Sequence, residues 1–265
     1  MTSRQDTLAG LRRSLATLEP AGMELAPEAR FTFGIAGLDA AIGGGLPRAA
    51  LHEIFAASAA DGPAATGMGL SMTLRACGRS RSLVWVRQDM VAQETGELYA
   101  PGLADWGADP GRIIMVRVRD ARAALRAANE ALRCGALGAV IMEPWGQPEV
   151  LDLTATRRLA AACARSGVGL FLIRLAAEPV PSAALSRWSV RAAPSLPLEA
   201  GAPGHPVFQL DLLRHRAGFP PRRWYVEWDR EQSSFREPAL SRGVVSSPAL
   251  RPRAPAAAAR WRHAG

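Results

Sequence analysis

Residues 50–77 read ALHEIFAASAADGPAATGMGLSMTLRAC. The opening run, 50–55, is mostly apolar and predicts a short buried strand. Residues 56–66 are small and turn-forming, which predicts a loop. The stretch from Gly67 to Cys77 predicts a helix. Strand, loop and helix in that order make the first half of a βαβ unit. Upstream, Leu38, Ala41 and Ile42 predict a short helix, stopped by Gly43-Gly44-Gly45-Leu46-Pro47. Downstream the alternation continues. Strands are expected at 82–86 (SLVWV), 113–118 (IIMVRV), 139–142 (AVIM) and 168–173 (VGLFLI). Between them lie a mixed helical or loop region at 88–106, a helix at 120–133 capped by Asp120, and a helix at 152–166. This order predicts an α/β fold, a mostly parallel sheet flanked by helices. After Arg174 the helices stop. Short strands at 188–192, 207–214 and 223–228, with the turn Ala217-Gly218-Phe219-Pro220-Pro221 between the last two, predict an antiparallel extension at one edge.

Three regions follow from the pattern. An N-terminal segment, 1–20, carries an amphipathic helix at 3–18, with Leu8, Leu11, Leu15 and Leu18 at helical spacing. The core runs from 28 to 236. From Glu237 to the end the chain is rich in Pro, Ala, Ser and Arg and is expected to be a disordered basic tail.

Composition narrows the chemistry. The chain has 265 residues, 48% of them hydrophobic, and a formal net charge of +8. All 32 of its cations are arginine, because the sequence contains no lysine. That excludes a Schiff base, a Ser–Lys dyad and a lysine on a phosphate, since each needs an amine. Cys77, Cys134 and Cys163 are too scattered for a disulfide framework or zinc site. His52, beside Glu53 on the predicted strand, reads as a packed or hydrogen-bonded residue. His205, His215 and His263 lack metal spacing. No serine stands in a nucleophile-elbow context. Gly67-Met68-Gly69 is no dinucleotide fingerprint, because Met72 stands where a third glycine belongs. The N-terminus lacks a signal-type apolar core and no stretch reaches membrane-helix length, so a cytoplasmic location is expected.

The segment FGIAGLDAAIGGGLPRAALHEIF, the strands that follow it, and the later RWSVRAA and FQLDLLRHRAGFPPRRWYVEW resemble the core of the RecA recombinase, from about Phe31 to Phe235. More closely, GGGLPRAALHEI, DMVAQETGELYAPGLADWG and the missing lysine resemble the ImuA family, RecA-like proteins of bacterial mutagenic DNA-damage tolerance. That resemblance implies an accessory role in SOS-induced translesion synthesis, with the polymerase-like protein ImuB and an error-prone replicative-type DNA polymerase as partners. A division inhibitor resembling SulA, or a weak nucleotide-binding ATPase, are the alternatives.

Against a working ATPase stands the loop itself. A phosphate-binding loop needs G-x-x-x-x-G-K-[ST]. Ala56 takes the place of the first glycine, the loop to Gly67 is too long, and Met68 and Gly69 stand where Lys and Ser/Thr belong. A degenerate loop, no catalytic residue, no metal and no cofactor are therefore expected. Glu143, ending the strand AVIME, holds the place of a metal-contacting Asp. Pro144-Trp145 crowd it, and it is expected to face solvent. Gln88 and Asp89 lie where a catalytic carboxylate would sit and are expected to be non-catalytic. Arg214, Arg216, Arg222 and Arg223 gather at the predicted hairpin. Arg251, Arg253, Arg260, Trp261 and Arg262 lie in the tail. Both groups are candidates for DNA phosphate or an acidic partner.

Overall fold

Alternation along the strands fixes which side chains meet. In β3 (Leu51–Ala56), Ile54 joins one core cluster and Leu51 the other. The same switch occurs in β7 (Gly169–Arg174), where Phe171 and Ile173 face one way and Leu170 and Leu172 the other. A sheet buried on both faces needs helices on both. The computed structural model has this form, and it describes residues 29–78, 80–199 and 202–239. The helix expected at 3–18 and the tail residues Arg251, Arg253, Arg260, Trp261 and Arg262 lie outside the described residues.

Nine strands form the main sheet in the order β11-β10-β9-β8-β3-β7-β6-β4-β5. They are β3 and β7 together with β4 (Leu83–Gln88), β5 (Ile113–Val118), β6 (Ala139–Glu143), β8 (Ser186–Ala193), β9 (Val207–His215), β10 (Arg222–Asp229) and β11 (Ser234–Arg236). The six from β8 to β5 are mutually parallel, and β9, β10 and β11 continue antiparallel. The mostly parallel sheet with an antiparallel edge is thus present. A separate small ribbon pairs β1 (Arg30–Phe31) with β2 (Leu46–Pro47). Around it turn α1 (Ala36–Ala41) and Gly43-Gly44-Gly45, all three with positive φ.

The helix α2 (Gly62–Cys77) covers one face. Its buried Met68, Leu70 and Met72 pack with the fully buried Trp85, Trp188 and Trp228. The other face is covered by α5 (Ala121–Leu132) and α6 (Leu153–Ser166), through Ala124, Ala128, Leu159 and Ala162. Asp120 and Asp152 cap them by accepting from the N–H of Ala123 and Ala155, each at 2.7 Å. The mixed region resolves into two short helices, α3 (Asp89–Thr95) and α4 (Ala100–Asp105).

The sequence reading placed the start of α2 at Gly67. The structure begins it at Gly62, with Pro63 in its first turn. Proline is well suited to that turn, because its missing N–H has no intrahelical acceptor there. Ala64 and Ala65 then extend the helix with the best helix former. The loop is therefore only residues 57–61, part of it a 3₁₀ turn, Ala59–Asp61. The strand β11 was not expected. It is short, and its pairing with Glu227, Trp228 and Asp229 of β10 defines it more than its own sequence does.

Candidate functional site

The short loop lies at the C-terminal end of β3, where open parallel sheets place their ligands. Its geometry differs from the expected one. Ala56, expected as the first loop residue, is instead the last residue of β3. Gly67, Met68 and Gly69 are not in the loop at all; they lie inside α2 and serve packing. Met68 is fully buried. A Cβ on Gly67 would stand 2.8 Å from Trp106, and one on Gly69 2.7 Å from Ile173. The residues that do shape the loop are Ser58, Asp61 and Pro63.

Asp61 is buried, and its carboxylate has two fixed donors. Ser58 Oγ donates to Oδ2 at 2.6 Å, and the N–H of Ala192 on β8 donates to Oδ1 at 2.9 Å. Ala57 N–H also donates to Val190 O at 2.9 Å. The loop is thus stapled to β8. A carboxylate at its centre repels a phosphate, and Pro63 removes one of the helix-terminal N–H donors that would cradle it. No lysine exists in the chain to offset either effect.

Glu143 does not face solvent. It is fully buried and accepts three hydrogen bonds. Thr66 Oγ1 on α2 donates to Oε1 at 2.6 Å, while Arg87 Nε at 2.8 Å and Trp85 Nε1 at 3.3 Å donate to Oε2. The physical reason is the adjacent strand. β4 pairs in parallel with β6 and sets Arg87 directly opposite Glu143. Arg87 is itself held by Gly96 O and Thr95 Oγ1, each accepting at 2.8 Å. A fixed protein cation therefore stands against this buried carboxylate. Gln88 Oε1 accepts from Trp145 N–H at 3.0 Å, and Asp89 Oδ1 pairs with Arg117 at 3.1 Å. The adjoining apolar cavity, walled by Leu70, Trp85, Arg87, Leu103 and Trp106, holds about 210 Å³. That is below the ~300 Å³ at which pockets for small-molecule ligands begin. Among the described residues no group of three His, Cys, Asp or Glu is placed to hold a metal.

His52 packs against Phe171 and Phe31 and lies in a buried chain of bonds. Trp188 Nε1 donates to Ser186 Oγ at 2.8 Å, Ser186 meets His52 Nδ1 at 2.7 Å, and His52 Nε2 meets Pro47 O at 2.9 Å. Burial pushes its pKa down to about 4, so the ring is neutral at pH 7 and donates to Pro47.

The hairpin arginines separate. Arg223 forms a two-pronged bond with Asp211 at 2.6 and 3.1 Å. Arg222 lies over the Trp224 ring at 5.5 Å. Arg214 and Arg216 turn instead to a polar cavity together with Arg157 and Arg187, two residues that sequence reading did not single out. Glu53, Arg87, Arg174 and Arg187 were also missed. Their signal was a charge inside an otherwise apolar strand, which becomes readable only once partner strands are aligned.

A mostly parallel sheet with this strand–loop–helix at its centre and an antiparallel edge defines a RecA-like domain, here with a loop rebuilt around Asp61 and Pro63. No protein-family model matches the chain. It is similar to the Protein ImuA of Caulobacter vibrioides strain NA1000 / CB15N, at 34% identity over 213 residues, covering 73% of this chain and 82% of the relative. The Protein ImuA of strain ATCC 19089 / CIP 103742 / CB 15 matches to the same extent. The chain belongs to the ImuA family.

Proposed function

We propose that this protein is a non-catalytic accessory factor of DNA-damage mutagenesis, acting in error-prone translesion synthesis by recruiting other proteins. Its partners in this reading are an ImuB-type polymerase-like protein and an error-prone replicative-type DNA polymerase. The observation that carries it is the pairing of family membership with a loop that offers phosphate a carboxylate, Asp61, and no lysine. A loop that presents Asp61 and no lysine, and a Glu143 already held by Arg87, suit recruitment better than nucleotide hydrolysis. Contact with DNA through exposed arginines fits the same role.

Affinity capture of the tagged chain from DNA-damaged cells, at low and high salt, tests it. Enrichment of the polymerase-like protein and the error-prone polymerase is expected. Recovery of the division protein FtsZ without either polymerase component overturns it, as does hydrolysis of Mg-ATP by the purified protein.

A further inference from the structure

The face of the sheet opposite α2 carries a second polar assembly. Glu53, on β3, is fully buried. Arg187 Nε and Ser182 Oγ each donate to its Oε2 at 2.7 Å, and Arg174 Nη1 stands 3.7 Å from Oε1, an ion pair too long for a hydrogen bond. Both guanidiniums lie over the Phe55 ring, at 5.4 and 5.5 Å. Two buried cations therefore share one carboxylate. Desolvation lowers the pKa of Arg174, yet an arginine stays protonated, so the cluster keeps a positive charge in excess. Arg174 Nε has no hydrogen-bond partner.

Arg187 reaches from this cluster into a cavity of about 630 Å³. Arg157 of α6 and Arg214 and Arg216 of the hairpin line it too, with Leu153 and residues 179–183 completing the wall. No carboxylate and no aromatic ring lies in the lining. Arg157, Arg214 and Arg216 are exposed and form no ion pair among the described residues, whereas Arg117, Arg223 and Arg236 elsewhere are paired.

We propose that this cavity binds a condensed phosphate, the di- or triphosphate group of a small molecule, with Arg187 at its buried end and Arg157, Arg214 and Arg216 on the outer oxygens. Guanidinium forks match phosphate oxygens two at a time. Arg187 has Nε on Glu53 and Nη2 on Val180 O, and Arg214 Nη1 reaches Ser182 O. Arg187 therefore contributes its charge and remaining Nη1, while Arg157 and Arg216 present open forks. Four positive charges suit an anion with several charges better than a single carboxylate. The volume lies within the range of small-molecule pockets, ~300–1,000 Å³. The Arg187 side chain is only 9% exposed, so it marks the deep end of the cavity, where a terminal phosphate fits better than one flanked on both sides by a polymer backbone. The absence of aromatic lining also removes the stacking that single-stranded nucleic acid uses. This site is on the other face from the rebuilt loop and does not depend on the recruitment reading.

Calorimetric titration of the full chain with sodium tripolyphosphate at physiological salt tests the proposal. ATP, GTP and a short DNA duplex are titrated in parallel. Saturable binding of tripolyphosphate is expected, weakened at least about tenfold in Arg157→Ala/Arg216→Ala, since each charged hydrogen bond lost costs that much or more. The control Arg122→Ala/Arg126→Ala, in the groove between α5 and α6, is expected to bind as the parent does. Tighter binding of ATP or GTP than of tripolyphosphate, in competition with it, shows that the site also contacts a nucleoside; equal or weaker binding shows that the phosphate chain alone is recognised. No binding of tripolyphosphate, an equal loss in the control, or binding of the duplex only overturns the proposal.

Discussion

Burial decides what the reactive side chains can do. Cys77 and Cys163 are buried, and desolvation pushes both thiols up to about 12, while Cys134 is exposed. The thiolate is the reactive species. A thiol reagent at pH 8 is therefore expected to modify Cys134 alone in the folded protein and all three cysteines in denaturant. Reaction of Cys77 under native conditions contradicts this. His52 and His215 illustrate the same physics with the opposite sign. Both have their pKa lowered to about 4, chiefly by burial, with Arg30 adding to the effect at His215. The unfolded chain takes up protons near pH 6.5 that the folded chain refuses. Stability contributed by the neutral rings is complete above pH 6.5 and is lost as pH falls toward 4. Each ring adds a slope of up to ~1.4 kcal/mol per pH unit in that window. Urea denaturation between pH 7.5 and 4.5 checks this, and a His215→Gln variant is expected to show a shallower slope than the parent.

At the scale of elements, α2 separates what composition reveals from what packing decides. Residues 56–66 are mostly small, and small residues are as common in loops as in helices. The run also contains Pro63, and a proline in the first turn starts a helix as readily as it marks a loop. With α2 beginning at Gly62, Gly67 stands under Trp106 and Gly69 against Ile173. Gly67→Ala is expected to lower stability by ~1–3 kcal/mol, the cost of overpacking, despite alanine's better helix propensity. Equilibrium unfolding measures it, and a stabilised variant contradicts the packing described here. The strands were legible because apolar runs of that length flanked by turns have few other solutions. Glu143 was legible as a position and misread as an environment. Its partner Arg87 is 56 residues away, and only the parallel register of β4 against β6 brings them together. The same holds for Glu53 and Arg187, 134 residues apart.

For the whole molecule, the family and the order of parts could be read from sequence, because alternation and a few unusual peptides such as LYAPGL survive without contacts. The partition of arginine could not. Sequence shows 32 cations of one kind. The fold sorts them into guanidiniums buried against carboxylates, such as Arg87 and Arg187; guanidiniums matched on the surface, such as Arg223; and exposed ones with no ion pair among the described residues, of which Arg157, Arg214 and Arg216 share one cavity. The two ends of the nine-stranded sheet differ in a similar way. At one end, β11 is closed off, since Phe235 N–H donates to Phe33 O at 3.1 Å. At the other, β5 is an edge strand that shows Ile114 and Met115 to solvent. A head-to-tail polymer joined edge to edge needs two unlike free edges on each copy. Among the described residues this molecule offers one. Two copies joined through β5 alone would be related by a two-fold axis, a geometry that terminates growth where a filament would continue.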